Sequence, residues 1–241
     1  MNIKDFPFKY ETHMHTMQGS ACARSTGADM ARAYKEAGYT GIIITDHFFY
    51  GNTAVDRSLG WEEWVTNYCR GYEDAYQEGR KIDLQVFFGW ESGYHGTEFL
   101  IYGLDKEWLM KHPEIKDATV EEQYNLVHQG GGIVIHAHPF RKAGYIPEIR
   151  LFPDYVDGVE GRNWAHEMPG SSHADVTYNP LAEEYAAKYN FPITAGSDAH
   201  NAVGLKGGMA FQRKLTDIHD FTKAILSKEP NILFFDKGKS E

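Results

Sequence analysis

The sequence has few cysteines and no long apolar run. Its two cysteines, Cys22 and Cys69, are too few for a disulfide framework, which is typical of a reducing compartment. No segment approaches the roughly 20 apolar residues of a membrane span. Residues 1–8 show no apolar run behind a basic stretch, the pattern of a secretory leader. We therefore expect a cytoplasmic protein without membrane contacts.

Basic residues are also in deficit. Lys and Arg total 24 against 34 Asp and Glu, which gives a formal net charge of -10. Because nucleic-acid backbones bind broad basic surfaces, this balance argues against nucleic acid as a partner. The content of 42% hydrophobic and 14% aromatic residues is enough to bury a full core. Pro and Gly are spread along the chain, so we expect a single domain over residues 1–241.

Short apolar runs, which predict buried strands, alternate with stretches of helical spacing. The strand candidates are residues 8–13, 41–45, 84–90, 99–103, 133–135, 156–159 and 193–196. The helix candidates are residues 28–37, 61–78, 181–189 and 218–226, with a further helix that follows a capping box at Thr119 and ends at Gly130. This alternation predicts a parallel sheet, open or closed into a barrel, with functional residues at the carboxyl ends of the strands.

Possible metal ligands follow five of these runs. His13 and His15 follow the first, and because strand side chains alternate between faces, both rings project to the same side. Asp198 and His200 repeat this spacing after the last run. The runs between them end in Asp46 and His47, in Glu91, and in His136 and His138.

An H-x-H pair alone is more often a packing or hydrogen-bonding feature. Packing gives no reason, however, for imidazoles and carboxylates to recur at the ends of parallel strands, where they would be desolvated and mutually repulsive without a cation. We therefore predict a site for divalent ions, whose mixed donors suit Zn, Mn or Fe alike. A metal-bridging hydroxide formed from water near neutral pH would be the nucleophile of a hydrolase.

In these residues the sequence resembles the polymerase and histidinol phosphatase (PHP) family of metal-dependent phosphoesterases. The resemblance covers nearly the whole chain. It implies a distorted (β/α)7 TIM-like barrel, with two or three divalent ions at the C-terminal face of the strands, and hydrolysis of a small phosphorylated substrate. The motifs that carry it are His13-Met-His-Thr16, Thr45-Asp-His47, Trp90-Glu91, Ala137-His-Pro139 and Gly196-Ser-Asp-Ala-His200.

The resemblance also implies roles for single residues. Glu91 would bridge the first metal to a second, which His138 also binds, and His47 and His200 would belong to a third. The residues that would hold the first metal are His13, His15, Glu91 and Asp198.

The chain departs from the fullest family pattern in two places. Residues 99–102 stand where some members have a ligand His, and Cys22 lies where others have a His or an Asp. His136, which we expect to share a face with His138, is a candidate substitute at the second metal, and Cys22 is a candidate soft ligand at the third, although each is more often structural. Glu160 is a candidate to bind a metal or to orient a ligand.

The leaving group of a hydrolysis needs a proton or a cation. Asp46, His47 or His200 would serve if metal does not fully occupy them, and Asp46 would alternatively orient His47. The remaining histidines lack ligand spacing, and we interpret them as exposed or locally hydrogen-bonded. They are His95, His112, His128, His166, His173 and His219.

A phosphate group also binds guanidinium groups. Arg141, three residues after His138, is the strongest candidate for this contact. Arg24 and Arg150 are weaker candidates, because surface arginines are usually solvated.

Three other functions stay open. An amidohydrolase also uses an H-x-H pair after a first barrel strand, but it usually bridges its metals with a carboxylated lysine, and none of the predicted strands ends in Lys. A non-catalytic PHP module, like those attached to some DNA polymerases, would have lost ligands that this chain retains. A nuclease-like phosphodiesterase would fit the family, but the acidic balance favours a small phosphoester.

Overall fold

The structure, a computed structural model, describes residues 3–204 and 206–236. The strands are β1 Phe8–Glu11, β2 Gly41–Ile44, β3 Gln85–Tyr94, β4 Thr97–Tyr102, β5 Ile133–Ala137, β6 Gly158–Asn163, β7 Ile193–Gly196, β8 Lys206–Phe211 and β9 Asn231–Asp236. The helices are α1 Gly27–Glu36, α2 Trp61–Tyr68, α3 Arg70–Ile82, α4 Lys106–Lys111, α5 Val120–Gln129, α6 Tyr178–Tyr189 and α7 Ile218–Leu226. One nine-stranded sheet has the order β7-β6-β5-β4-β3-β2-β1-β8-β9.

Strands β1 to β7 follow one another around the sheet, which curls into a nearly closed barrel. The barrel closes between the residues that follow β1 and those that follow β7. There Met14 forms a parallel bridge with Ala199, and the amide of Asp198 donates to the carbonyl of His13 at 2.9 Å. Gly196 permits this approach, because a Cβ there would lie 2.5 Å from the Cβ of His13. The expected α/β barrel is confirmed, with β8 and β9 added beside β1.

Alternate residues of the strands pack into different hydrophobic clusters, as the period of a strand requires. In β2, Ile43 belongs to a cluster with Tyr10 of β1 and Phe221 of α7. Its neighbour Ile42 belongs to another cluster with Met30 of α1. Both faces of β2 are therefore apolar, which is why this strand reads as a continuous hydrophobic run.

The expectation of an all-parallel sheet is wrong at β4, which is antiparallel to both β3 and β5. A tight turn joins β3 directly to β4, and its residues His95 and Gly96 have φ angles of 49° and 88°. A parallel connection would need a crossover of a dozen or more residues, which this turn does not supply. Because of the reversal, the first residues of β4 lie beside the carboxyl ends of its neighbours, and Glu98 is the register partner of Ala137.

Two further differences from the sequence prediction concern the helices and the last strands. The candidate helix at residues 61–78 is two helices, α2 and α3, which meet at Cys69. Strands β8 and β9 were not predicted, and two successive glycines, Gly207 and Gly208, interrupt the apolar pattern of β8. The capping box at Thr119 is confirmed. Among residues 3–204 and 206–236, no helix has the length and apolar character that crossing a bilayer requires.

Candidate metal centre

Imidazole and carboxylate groups meet at the carboxyl edge of the barrel. Within the described residues, they form overlapping groups whose donor atoms lie within 4.8 Å of one another. Neighbouring ions in such an arrangement would share ligands. The groups are His13 with His15 and Asp198, His13 with Glu91 and His138, His15 with His47 and His200, and His47 with Glu91 and Glu98.

The carboxylate of Glu91 lies at the centre of this cluster. Its Oε1 is 3.2 Å from Nε2 of His13 and 3.0 Å from Nε2 of His138. Its Oε2 is 2.7 Å from Nδ1 of His47 and 3.7 Å from Nε2 of His15. Each oxygen therefore faces its own pair of imidazoles, which suits a carboxylate that bridges two ions.

Two buried atoms of the cluster indicate that a cation fits here. His47 Nδ1 and Glu91 Oε2 have no hydrogen-bond partner, although they lie only 2.7 Å apart. An unpaired buried polar atom costs about 1–3 kcal/mol, and a cation held by both atoms would remove that cost. Together with the nitrogen and oxygen donors around them, these residues fit divalent metal ions.

In two of these histidines, a hydrogen-bond acceptor holds Nδ1 and so determines which ring nitrogen carries the hydrogen. His13 Nδ1 lies 2.8 Å from Oε1 of Glu160. Because a carboxylate only accepts, Nδ1 carries the hydrogen and Nε2 is left free for a metal. His200 Nδ1 donates in the same way to the carbonyl of Asp198 at 2.8 Å. For Glu160, this contact favours the orienting role over metal binding.

Asp46 acts on His15 through Ser20, and not directly on His47 as expected. The backbone amide and the hydroxyl of Thr16 donate to its carboxylate at 2.6 Å, and the Ser20 hydroxyl donates at 2.7 Å. With its hydrogen used, the Ser20 oxygen accepts from Nδ1 of His15 at 3.1 Å and from the backbone amide of His47 at 2.9 Å. This network makes Asp46 a support for His15, and its carboxylate does not line the cavity described below.

Two of the predicted ligands leave their strands in a left-handed backbone conformation. His138 has a φ of 28° and Asp198 a φ of 54°. Such a conformation costs a non-glycine residue about 1–3 kcal/mol, and it is typical of functional sites. Simple strand alternation therefore does not place Asp198 and His200, because β7 already ends at Gly196.

His136 lies outside the cluster. Its ring stacks on Phe99 at 5.1 Å between centroids and packs edge-on against Tyr185 at 5.9 Å. Burial lowers its pKa to about 3, and neither ring nitrogen has a partner. The expectation that His136 and His138 share a face is wrong, because β5 ends at Ala137 and His138 turns away.

The three arginine candidates have different environments. Arg141 is buried, and its Nη2 donates to Oδ2 of Asp198 at 2.5 Å. Burial would raise the pKa of Asp198, but Arg141 and His13 hold it well below its usual range. Arg24 is exposed, with its amide bonded to the carbonyl of His200. Arg150 donates to the carbonyl of His95 at 2.9 Å and does not line the cavity.

A cavity of about 840 Å³ borders the cluster, a volume typical of small-molecule sites. His95 and His173, interpreted from the sequence as exposed or locally hydrogen-bonded, are part of its wall. Its lining also includes Cys22, His47, Tyr50, Glu98, Lys116, Arg141, Tyr145, Asp198 and His200.

Glu98 is a candidate ligand that sequence reasoning missed. Its Oε2 is 3.6 Å from Nε2 of His138, and its Oε1 is 4.0 Å from Nδ1 of His47. Burial and the nearby charge of Glu91 raise its pKa. The available signal was an acidic residue just before an apolar run and two residues after Gly96, next to the positions where a family ligand is missing.

Cys22 faces the same part of the site. Burial would raise the pKa of its thiol, but hydrogen bonds with His200 and His47 outweigh burial and lower the pKa to about 6. The thiol therefore lies next to the histidines proposed for a third ion, where a thiolate would be a strong ligand for Zn.

Comparisons with known proteins agree with this architecture. Residues 176–230 match the family model of the PHP-associated region, PHP_C. No curated protein matches the sequence. The chain is similar in structure to a two-domain protein from Bacteroides vulgatus ATCC 8482 described as containing a PHP-like metal-dependent phosphoesterase, with 13% identity and a TM-score of 0.65. That similarity covers 94% of this chain and 64% of the other, so the chain spans less than two thirds of that relative.

Two other solved structures are similar. A protein from Bifidobacterium adolescentis ATCC 15703 described as a metal-dependent phosphoesterase has 15% identity and a TM-score of 0.57, over 92% of this chain and 96% of that one. An amidohydrolase from Chromobacterium violaceum has 12% identity and a TM-score of 0.53, over 80% and 88%. The family-model match over residues 176–230 and the shared fold both agree with the resemblance carried by the motifs.

We expect Glu98→Ala to weaken binding of Mn²⁺ or Zn²⁺ on the order of 10-fold or more, because an oxygen donor beside Glu91 and His47 is lost. Glu184→Ala, which removes the same charge from an exposed helix position, is the matched control. Metal titration followed by elemental analysis gives affinity and content. Equal affinity in the two variants would show that Glu98 does not take part in metal binding.

We expect Co²⁺-loaded protein to show near-ultraviolet thiolate-to-metal absorption, because Cys22 lies beside His47 and His200. Cys22→Ser should lose this band. Cys69→Ser should keep it, since Cys69 is buried in a hydrophobic cluster. Fully loaded wild-type protein without the band would exclude Cys22 as a ligand.

Proposed function

We propose that this protein is a metal-dependent phosphoesterase that hydrolyses a small phosphorylated substrate. The observation that carries the proposal is the position of Arg141, which is buried against Asp198 and also lines the cavity. Many hydrolases use a metal site, but a guanidinium fixed beside one complements the oxygens of a phosphoryl group. The PHP-like fold and the similarity to proteins described as metal-dependent phosphoesterases support this choice.

We assign the ligands as the motifs suggest. Divalent ions bound here would lower the pKa of a water molecule and neutralise negative charge on the phosphoryl oxygens. We assign His138 and Glu91 to a second site, and we add Glu98 as a further ligand there. His47 and His200, with Cys22, would serve a third. The residues assigned to the first site are His13, His15, Glu91 and Asp198.

His47 and His200 have a second candidate role as proton donors to the leaving oxygen. His200 is the better placed, because its side chain is 30% exposed, whereas that of His47 is 11% exposed. Both residues line the cavity. The Nδ1 hydrogen of His200 is held by the carbonyl of Asp198, so Nε2 is the atom that would carry and release the proton.

Arg141 is proposed to bind the phosphoryl group with the donors it has left. Its contacts with Asp198 and His166 use one hydrogen on Nη2 and the hydrogen on Nε. A guanidinium has five N–H donors, so three remain, and these serve the contact with Tyr145 in the cavity wall and a substrate. The same contacts fix the plane of the group, which reduces the entropy lost when it binds substrate.

The second candidate is an amidohydrolase, which the similarity to the Chromobacterium violaceum protein favours. Against it, Glu91 stands where a carboxylated lysine would bridge the metals. The lysine in the cavity lining, Lys116, is paired with Asp117. A nuclease-like phosphodiesterase is favoured less, because a chain with a net charge of -10 offers no broad basic surface to nucleic acid.

We expect the protein, assayed on a substrate panel with Mn²⁺, Zn²⁺ or Fe²⁺, to hydrolyse phosphomonoesters and to bind two or more ions per chain. Asp198→Ala and His13→Ala should lose nearly all turnover, because each removes a ligand. The same panel includes phosphodiesters, amides and lactones, which are the substrates of the alternative functions. Amide or lactone hydrolysis without phosphoester hydrolysis would replace this proposal with the amidohydrolase.

For Arg141→Lys we expect kcat/KM on the best phosphoester to fall by the equivalent of roughly 1–3 kcal/mol at full metal content, because the charge stays but the planar donor pair is lost. Arg150→Lys is the matched control, since Arg150 lies outside the cavity lining. If Arg141→Lys keeps the wild-type kcat/KM, Arg141 does not bind the phosphate.

A further inference from the structure

A buried chain of hydrogen bonds leads from helix α6 to the metal site. At the start of α6, Oδ1 of Asn179 lies 2.9 Å from Nδ1 of His166. His166 lies in a 3-10 turn after β6, and its Nε2 is 3.1 Å from Nε of Arg141. Nη2 of Arg141 then reaches Oδ2 of Asp198. All four side chains are buried, with exposures between 1% and 7%.

The chemistry of these contacts fixes where the hydrogens are. Nε of Arg141 carries a hydrogen and only donates, so Nε2 of His166 must accept with its lone pair. Oδ1 of Asn179 accepts, because Nδ2 of Asn179 donates to the carbonyl of Asn163 at 3.2 Å and to Glu167 at 3.0 Å. His166 is therefore a neutral imidazole with its hydrogen on Nδ1, held in one orientation from both sides.

We propose that His166 and Asn179 are positioning residues that hold the guanidinium of Arg141 against Asp198. The effect on catalysis rests on the proposed phosphoesterase, whereas the effect on Arg141 does not. Oδ2 of Asp198 accepts from Arg141 and, at 3.4 Å, from Nδ2 of Asn163, whereas Oδ1 faces Nε2 of His15 at 3.1 Å. The partners behind Oδ2 thus hold the carboxylate so that Oδ1 points into the cluster, which is how such partners tune a metal site.

A neutral acceptor at position 166 has a specific advantage over a carboxylate. A carboxylate would neutralise Arg141 and compete with Asp198 for its donors, because charged hydrogen bonds are stronger than neutral ones. An imidazole satisfies the Nε hydrogen and leaves the full positive charge on Arg141. That charge is then available to Asp198 and to an anion in the cavity.

Asn179 also reaches the other side of the site. Its Oδ1 accepts from the backbone amide of Asn163 at 3.0 Å. Nδ2 of Asn163 donates to Oε2 of Glu160 at 3.0 Å, and Oε1 of Glu160 holds Nδ1 of His13. One side chain of α6 therefore supports both the His13 and the Asp198 ends of the first site.

Three substitutions at one position separate hydrogen bonding from packing. His166→Phe keeps a ring against Tyr178, whose centroid is 5.1 Å away, but removes both nitrogens. His166→Gln loses the ring but can place an amide oxygen at the position of Nε2. His166→Glu places a charged acceptor there. Three measurements are made on each: hydrogen exchange of the Arg141 Nε–H by NMR, assigned by its loss in Arg141→Lys, affinity for Mn²⁺, and KM and kcat on the best phosphoester.

We expect slow exchange of the Arg141 Nε–H in wild type and in His166→Gln, and fast exchange in His166→Phe. Affinity for Mn²⁺ should fall about 10-fold to 100-fold in His166→Phe, and His166→Gln should recover most of it. His166→Glu should keep the exchange protection but raise KM more than it lowers kcat, because it takes charge from Arg141.

Two results would overturn the proposal. One is wild-type exchange and affinity in His166→Phe, which would mean that only the packing of the ring matters. The other is a His166→Gln variant that exchanges as fast as His166→Phe while circular dichroism shows it folded. Should His166→Phe fail to fold, fast exchange in folded His166→Gln and His166→Glu, each compared with wild type, would still overturn the proposal. If the protein hydrolyses no phosphoester, the proposed function fails, and the exchange measurement still tests the role of His166.

Discussion

The carboxylate of Glu91, with 1% of its side chain exposed, faces His13, His47 and His138 within 3.2 Å. Packing so many donors into a desolvated space would be costly unless a cation compensates them. The barrel creates this space by bringing its first and last strands together. Glu11 strengthens that junction, because its Oε1 accepts from the backbone amides of His13 and Ser197 at 3.0 and 2.9 Å. The metal site and the closure of the barrel thus depend on the same few residues.

Sequence periodicity was enough to predict the α/β sheet and most of the clustered residues, because a strand that ends at the rim leaves its next residues at the site. Closure of the sheet into a barrel was predicted from the family resemblance. Periodicity did not find Glu98. That residue reaches the site only because β4 runs antiparallel, and the reversal depends on a short turn at His95 and Gly96 whose flanking runs look like any other strand. A candidate ligand at the beginning of a strand is not detected when only the residues at the carboxyl ends of strands are considered.

The histidines show a second limit of the sequence. His136 lies two residues before the candidate ligand His138 and packs among aromatic rings, whereas His166 has no ligand spacing and contacts Arg141. Spacing reports which side chains share a face only while the strand continues, and the φ of 28° at His138 ends that relation. The contact of His166 joins residues that are 25 positions apart, through a turn whose path depends on Asn163 and Asn179. Such a contact follows from the tertiary structure alone.

Arg141 lies between the candidate metal ligands and the cavity. On the proposed function, its guanidinium therefore has two roles that compete for its donors. The guanidinium stabilises the charge of Asp198, and the same group would bind the phosphoryl oxygens of a substrate. A flexible arginine would leave Asp198 when an anion arrived, and the ligand would lose its partner. With Nε held by His166 and one Nη2 hydrogen held by Asp198, the group can offer its remaining donors to the cavity without rotating. Substrate binding and metal binding then reinforce each other through one rigid side chain.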